Sequence, residues 1–290
     1  MNRNDQLEKL EQHVARLRHG AAVVPDASVI MPVNAQGDLG NVMNILNDLT
    51  NYQGNNTFEI ILVINNFPPD NLPEEIEKLR DLGITVVDIP SVRRPGEAVG
   101  FSARIPGVRA SKVEPCILFD ADCRVPNPTA VLDWYVKQFQ NGAKAAYSHV
   151  DFYDLRKGWS IKTRIFIHHA ARWYKRNILK IPTTRGSNYG VQRTMMLDLY
   201  ERKMLADEMN VGPTFKAQGA KIAYSGSRKL RVLTSGRMFT PGGGPMKLFR
   251  YFRYRLRYNK RTLPVRENVA SFTKRENDPV RRFVDNKQVH

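Results

Sequence analysis

The sequence predicts an α/β fold, a mostly parallel sheet flanked by helices and followed by a basic helical tail. Three observations predict it. Short apolar runs of strand length alternate with stretches of helical period over the first half of the chain, and such alternation builds parallel sheets covered on both faces. A chain of 290 residues buries a sizeable core without disulfide staples. Charge is strongly polarised: residues 1–155 carry 14 Lys and Arg against 20 Asp and Glu, and the remainder carries 31 against 8, within a net charge of +17. A basic half of this size points to an anionic partner: a phosphorylated substrate, a membrane surface or nucleic acid.

The N-terminal segment, residues 1–24, reads as a charged helix with no apolar stretch that would direct secretion. SVIMPV, Ser28–Val33, reads as a short buried strand. Leu39, Val42, Met43, Leu46 and Leu49 then share one helical face. A second strand, Phe58–Ile64, precedes a helix with Pro73 in its first turn, Glu74, Glu75 and Glu77 near its positive end, and Gly83 after it. The third strand is Ile84–Ile89 and the fourth Cys116–Phe119. A helix over Pro128–Gln140 follows, capped by Asn127, with Val131, Leu132, Tyr135, Val136 and Phe139 as its apolar stripe. Ala143–Val150 reads as a fifth strand.

Beyond residue 155 the pattern loosens into a helix near Ser160–Lys175, a turn-rich TTRGSNYG, a helix near Thr194–Lys203, and a Gly/Pro break at TPGGGP. His168 and His169 are consecutive, so on a helix they do not face one site and read as a packed or surface pair. Trp173 and Tyr174 read as core or as a sugar-stacking platform. No run of apolar residues is long enough for a membrane helix. Cys116 and Cys123 are too few for a disulfide framework, which fits a reducing, cytoplasmic compartment.

The fourth strand ends in CILFDADCRVPNP, with Asp120 and Asp122 separated only by Ala121. Ligands of parallel sheets bind at the carboxyl ends of the strands. Two carboxylates there can converge on one divalent cation, Mn²⁺ or Mg²⁺, which takes hard oxygen ligands and substrate phosphates. They can equally cap the turn and pair with Arg124. These residues alone leave both readings open.

The order SVIMPVN, a helix, EIILVINN, then GEAVGFSARIPGVRAS leading into CILFDADC resembles the family 2 glycosyltransferases of the GT-A fold, over roughly Ser28 to Ser225. The resemblance implies that Asp120 and Asp122 are that family's D-x-D element, which binds a metal and the diphosphate of a nucleotide-sugar, with Asp122 the more direct metal ligand. Pro32, Val33 and Asn34 match its P-x-Y-N opening beside the nucleotide, with Val33 in place of the usual aromatic residue. Asn65 and Asn66 stand where the family usually has aspartates that hold the base and ribose, so the base is not implied. Arg104, in SAR, matches the A-R-N segment near the nucleotide, with Ile105 for the asparagine; its plain alternative is a surface ion pair. Gly186 and Ser187, in GSNYGVQR, match a segment beside the donor sugar, or form an ordinary turn. Asp207–Glu208 matches the family's E-D pair in inverted order: by position Glu208 corresponds to the catalytic base of inverting members, with Asp207 its competitor. Without the resemblance, the pair reads as a helix start stabilising the dipole.

Three regions follow: residues 1–24, a GT-A catalytic domain over 25–239, and a Gly/Pro hinge with a basic tail over 240–290. In the tail, KLFRYFRYRLRYNKR (Lys247 to Arg261) holds seven cations and no acid. On a helix Leu248, Phe249, Phe252 and Leu256 share one face, a pattern suited to an anionic membrane or to packing on the domain. The expected activity is a metal-dependent, inverting transfer of a sugar from a nucleotide-sugar to an acceptor hydroxyl, the acceptor unknown but lipid-linked or phosphorylated in kind. The alternatives are a retaining transferase acting on a phosphorylated small acceptor, and a non-catalytic basic module on membrane or nucleic acid; no nucleic-acid motif supports the last.

Overall fold

The computed structural model describes residues 24–65, 74–89, 97–155 and 158–236. The N-terminal segment before Val24, Asn66, Pro73, the Gly/Pro hinge and the basic tail lie outside the described residues. In chain order the elements are β1 (Ala27–Asn34), α1 (Leu39–Leu49), β2 (Phe58–Asn65), α2 (Glu74–Asp81), β3 (Thr85–Asp88), α3 (Val99–Ala110), β4 (Cys116–Phe119) and α4 (Pro128–Gln140). They continue with β5 (Ala145–Ser148), β6 (Val150–Phe152), α5 (Trp159–Asn177), β7 (Asn188–Val191), α6 (Arg193–Glu201), α7 (Glu208–Ala217), β8 (Ile222–Ser225) and β9 (Val232–Thr234).

Seven strands form one sheet in the order β3-β2-β1-β4-β7-β5-β8, and β6 pairs with β9 in a second, two-stranded sheet. All pairs are parallel except those of β7, which runs antiparallel to both β4 and β5. The chain winds from β1 outward through β2 to β3, then returns to add β4 on the other side of β1. That reversal makes the carboxyl ends of β1 and β4 a topological switch point, where open α/β sheets form their ligand crevices.

The alternation of residues along the strands divides the core in two. Val29, Met31 and Val33 on β1, with Leu62 and Ile64 on β2, face Leu46 and Leu49 of α1 and Tyr135 of α4. Ile30, Ile61, Val63 and Leu118 point to the opposite face and meet Phe101, Ile105 and Val108 of α3. Gly107 lets α3 lie against the sheet, since a Cβ there would fall 2.5 Å from Ile30 Cγ2 and 2.7 Å from Val63 Cγ2. At the start of α4 the Asn127 side chain accepts from the Ala130 amide at 3.0 Å, as the capping argument required.

Two expectations need correction. The single strand expected over Ala143–Val150 is two: β5 pairs with β8, the chain turns at His149, and β6 pairs with β9. The segment GSNYGVQR is a turn at Gly186–Ser187 only; Asn188–Val191 form buried β7 between β4 and β5, and Arg193 begins α6.

Candidate active site

The site gathers where β1, β2 and β4 end. Asn34 and Asn65 are register partners at the ends of β1 and β2, and the Ala35 amide donates to Asn65 O at 2.9 Å. Ile30 on β1 pairs with Leu118 on β4, so two residues on, Asp120 stands level with Pro32 in the neighbouring strand. Val33 and Ala121 lie in the core, and what they bring to the crevice is backbone. Asn34 also closes a local turn, its Oδ1 accepting from the Gln36 amide at 3.0 Å.

The turn after β4 is held from several sides. Cys123 N donates to Asp120 O at 3.0 Å. Arg124 exchanges backbone hydrogen bonds with Leu233, and its guanidinium grips Asp48 of α1 with Nε at 2.7 Å and Nη2 at 2.8 Å. That fork is the two-armed geometry that suits arginine and carboxylate. It also corrects the alternative offered by sequence: Arg124 pairs with Asp48, and neither Asp120 nor Asp122 is its ion-pair partner. Thr234 of β9 donates its hydroxyl to Asp122 Oδ1 at 3.3 Å.

Arg104 organises the interior of the site. It is 1% exposed, and its Nη2 donates to Asp120 Oδ1. Its Nη1 donates to Glu208 Oε1 at 2.5 Å and to Gly100 O at 2.6 Å. One guanidinium thus ties α3, the end of β4 and the start of α7 together, and the surface ion pair considered for Arg104 is a buried one. Two glycines make room for it. A Cβ at Gly186 would fall 2.6 Å from Arg104 Nη2, and one at Gly100 would fall 3.1 Å from Glu208 Oε1.

Asp207 and Glu208 are adjacent yet do different work. Asp207 is the N-cap of α7: it accepts from Met209 N at 2.8 Å and shares a capping box with Asn210. Glu208, the first residue of the helix, turns inward to Arg104 and keeps 16% of its side chain exposed. Thr184 ties this turn down, donating to Glu208 O at 2.8 Å while accepting from Gly212 N at 3.0 Å.

Electrostatics sharpen the contrast. Burial raises the Glu208 pKa, with Arg104 opposing and Asp207 adding to the rise. Burial likewise pushes Asp120 up to about 6, opposed by Arg104 and reinforced by Asp122 and Glu208. Arg104 would lose basicity by burial alone, but the two carboxylates hold its pKa above the ordinary value.

Asp120, Asp122 and Cys123 present ligand atoms within 4.8 Å of one another. Cys123 is not a suitable third ligand. Its Sγ donates to Ser187 O at 3.2 Å, and burial, joined by the charges of Asp120 and Asp122, pushes the thiol well above its usual pKa. The remaining pair of hard carboxylate oxygens fits Mn²⁺ or Mg²⁺ better than a soft, thiol-seeking metal.

Of the residues singled out by sequence, Arg104, Asp120, Glu208 and Gly186 meet directly, with Asp122 and Ser187 alongside and Pro32, Asn34 and Asn65 at the neighbouring strand ends. Sequence reasoning missed Thr234 and Asp48, which carry no local motif. It also missed Tyr189 on β7, fully buried beside Arg104 with its hydroxyl making no hydrogen bond among the described residues. His168 and His169 form a packed pair, but their rings are not apart: the centroids lie 5.5 Å from each other and both rings pack on Phe152, while buried His168 also meets Arg185 and His169 stacks on His149.

Among known proteins, no family model matches the chain and no curated sequence matches it. Solved structures do. The chain is similar to GalNAc-T7 in complex with UDP, GalNAc and Mn²⁺, at 14% identity and a TM-score of 0.50, over 74% of this chain and 44% of that one. It is similar to Staphylococcus aureus TarS 1–349 in complex with UDP (16% identity, TM-score 0.49, 72% of this chain and 60% of that one). It is also similar to glucosyl-3-phosphoglycerate synthase from Mycobacterium tuberculosis in complex with Mn²⁺, UDP and phosphoglyceric acid (15% identity, TM-score 0.44, 82% and 77%). The chain thus spans less than two thirds of the first two structures. The shared architecture is the GT-A fold.

Proposed function

We propose that the protein is a metal-dependent glycosyltransferase that moves a sugar from a nucleoside-diphosphate sugar to an acceptor hydroxyl with inversion at the anomeric carbon. One observation carries this reading: the Asp120–Ala121–Asp122 turn, at the switch point of the sheet, is joined through Arg104 to a second, inward-facing carboxylate, Glu208. The fold supports it, since GalNAc-T7, crystallised with UDP, GalNAc and Mn²⁺, shares the architecture.

In this reading Asp122 and Asp120 would hold the metal, beside the donor diphosphate. A divalent ion there supplies positive charge against the departing diphosphate. Asn34 and Asn65, with both donor and acceptor atoms on each amide, line the nucleotide side. Glu208 takes the proton of the acceptor hydroxyl as its oxygen bonds to the anomeric carbon. The bond to the diphosphate breaks, and its electron pair leaves with the diphosphate oxygen. Glu208 then returns the proton to solvent.

Burial suits Glu208 to this work by raising its proton affinity above that of an ordinary carboxylate. Arg104 keeps it oriented. When Glu208 carries the proton, Arg104 remains paired with Asp120, which keeps a counter-charge on the buried guanidinium above about pH 6.

The test is release of diphosphate from labelled UDP- and GDP-sugars in the presence of Mn²⁺. Glu208→Gln is expected to lower turnover by about 10²–10⁴-fold, the usual scale of a general base, while donor binding persists. Turnover unchanged in Glu208→Gln would remove the residue from the reaction.

A further inference from the structure

Helix α5 presents two unlike faces. Its inner face is fastened to the domain: His168 meets Arg185, His169 stacks on His149, Arg172 donates to Thr183 O at 3.0 Å, and Arg176 lies 3.7 Å over the Tyr224 ring. Opposite His168 on the helical wheel stand Trp159, Phe166 and Trp173, spaced by seven residues and therefore stacked along one line about two turns apart. They are 87%, 72% and 55% exposed. Tyr174, beside Trp173, and Ile178 and Leu179, just past the helix end, are also exposed. Single exposed aromatic residues are ordinary, but a continuous line of them on one helix marks an interaction surface.

The charge on this helix identifies the partner. Trp159–Asn177 contains no Asp or Glu; Arg172 and Arg176 turn to the domain and Lys175 is buried, while Lys162 on the outer face and Lys180 just past the helix are exposed. A second copy docking here would bring no acid on this helix to meet the exposed Lys162 and Lys180. The chain's own apolar-aromatic segment 247–261 would bring none either, with seven cations and no acid. An anionic surface supplies the opposite charge. Tryptophan favours the polar–apolar boundary of a bilayer, and the exposed Lys162 and Lys180 at the two ends of the face add electrostatic attraction. No helix among the described residues is long and apolar enough to cross a membrane, so α5 suits lying on a surface.

We propose that the Trp159–Phe166–Trp173 face of α5 docks the protein on an anionic lipid bilayer. Residues 178–185 run from the end of α5 to Gly186 beside Arg104 and Asp120, so the docked helix and the candidate site are joined by one short segment.

Tryptophan fluorescence reads this directly. The chain has three tryptophans, and Trp134→Phe leaves only Trp159 and Trp173 as reporters. The full chain carrying Trp134→Phe is mixed with vesicles of phosphatidylcholine, with and without phosphatidylglycerol and with brominated acyl chains. The expected result is blue-shifted, bromine-quenched emission on phosphatidylglycerol vesicles, weakened by salt and absent on phosphatidylcholine alone. The triple variant Trp159→Ser, Phe166→Ser, Trp173→Ser is expected to lose vesicle affinity by about tenfold or more with its melting temperature unchanged.

Vesicle binding without quenching, or full binding by the triple variant, would overturn the assignment. So would a concentration-dependent dimer that the triple variant abolishes, which would make a second copy the occupant. Quenching that appears only after residues 237–290 are deleted would equally overturn it, by showing that this chain's own segment covers the face. The measurement uses neither donor nor metal, so its outcome is separate from that of the transferase reading.

Discussion

Arg104 and Glu208, on two different helices, meet at 2.5 Å with the arginine buried, and the same guanidinium also reaches Asp120. Two carboxylates gathered this closely are tolerated because the cation lies between them. Arg104→Ala leaves both facing each other, and removal of one partner from a buried ionic group costs about 3–5 kcal/mol. Urea denaturation should show a loss of that order. Arg104→Lys keeps the charge but not the two-armed fork, and its midpoint should fall between the two.

Asp207 and Glu208 separate by function under substitution. Asp207→Asn preserves a good N-cap and should leave stability and turnover near wild type, while Asp207→Ala should cost about 1 kcal/mol of stability. Neither should approach the loss of turnover expected for Glu208→Gln. Loss of turnover in Asp207→Asn with stability retained would transfer the base role to Asp207.

Two glycines should respond differently to an added methyl group. Gly107→Ala drives a Cβ into Ile30 and Val63, and such overpacking costs about 1–3 kcal/mol. The damage falls on the seating of α3, and calorimetric melting should detect it. Gly186→Ala aims its Cβ at Arg104 Nη2, 2.6 Å away, and should reduce diphosphate release more than its effect on the melting temperature would explain.

The stacked imidazoles of His149 and His169 on the inner face of α5 predict a pH dependence. Burial lowers the His149 pKa, with Arg172, Arg176 and Arg228 adding to the fall and Asp151 opposing it. Burial also lowers the His169 pKa, with His149, Arg172 and Arg185 adding and Asp151 opposing. A histidine whose folded pKa lies below its unfolded value of about 6.5 contributes stability above that value and loses it as pH falls through the folded pKa. The wild-type melting temperature should therefore drop more steeply on acidification below about pH 6.5 than that of His149→Gln, His169→Gln. Parallel curves would mean these rings do not govern the acid response.

Much of the first half of the sheet was legible because it is local. β1, β2 and β4 are continuous apolar runs, α4 carries both its cap and its stripe in sequence, and the Asp120–Asp122 pair falls where β4 ends. Helix α3 escaped the periodicity reading because Gly100, Pro106 and Gly107 interrupt it, although Phe101, Ile105 and Val108 hold helical spacing. Strand β7 is four residues with an asparagine and a glycine, and only its neighbours β4 and β5 make it a strand. The Arg124–Asp48 and Arg104–Glu208 pairs join residues far apart in sequence, and no local pattern announces such partners. Trp173 looked like core or a sugar platform because sequence gives the spacing of a helical stripe but not what lies against it.

The most direct test of the account is nucleotide binding at the paired aspartates. Thermal unfolding of wild type and Asp122→Ala would be followed with UDP, GDP and dTDP, each with and without Mn²⁺. A ligand present at a hundred times its dissociation constant stabilises the native state by about 2.7 kcal/mol, a readily measured shift. At least one diphosphate is expected to stabilise the wild type only with Mn²⁺, and Asp122→Ala is expected to abolish the effect. Stabilisation that is indifferent to Mn²⁺, or that survives in Asp122→Ala, would contradict the assignment of the metal and donor to this turn.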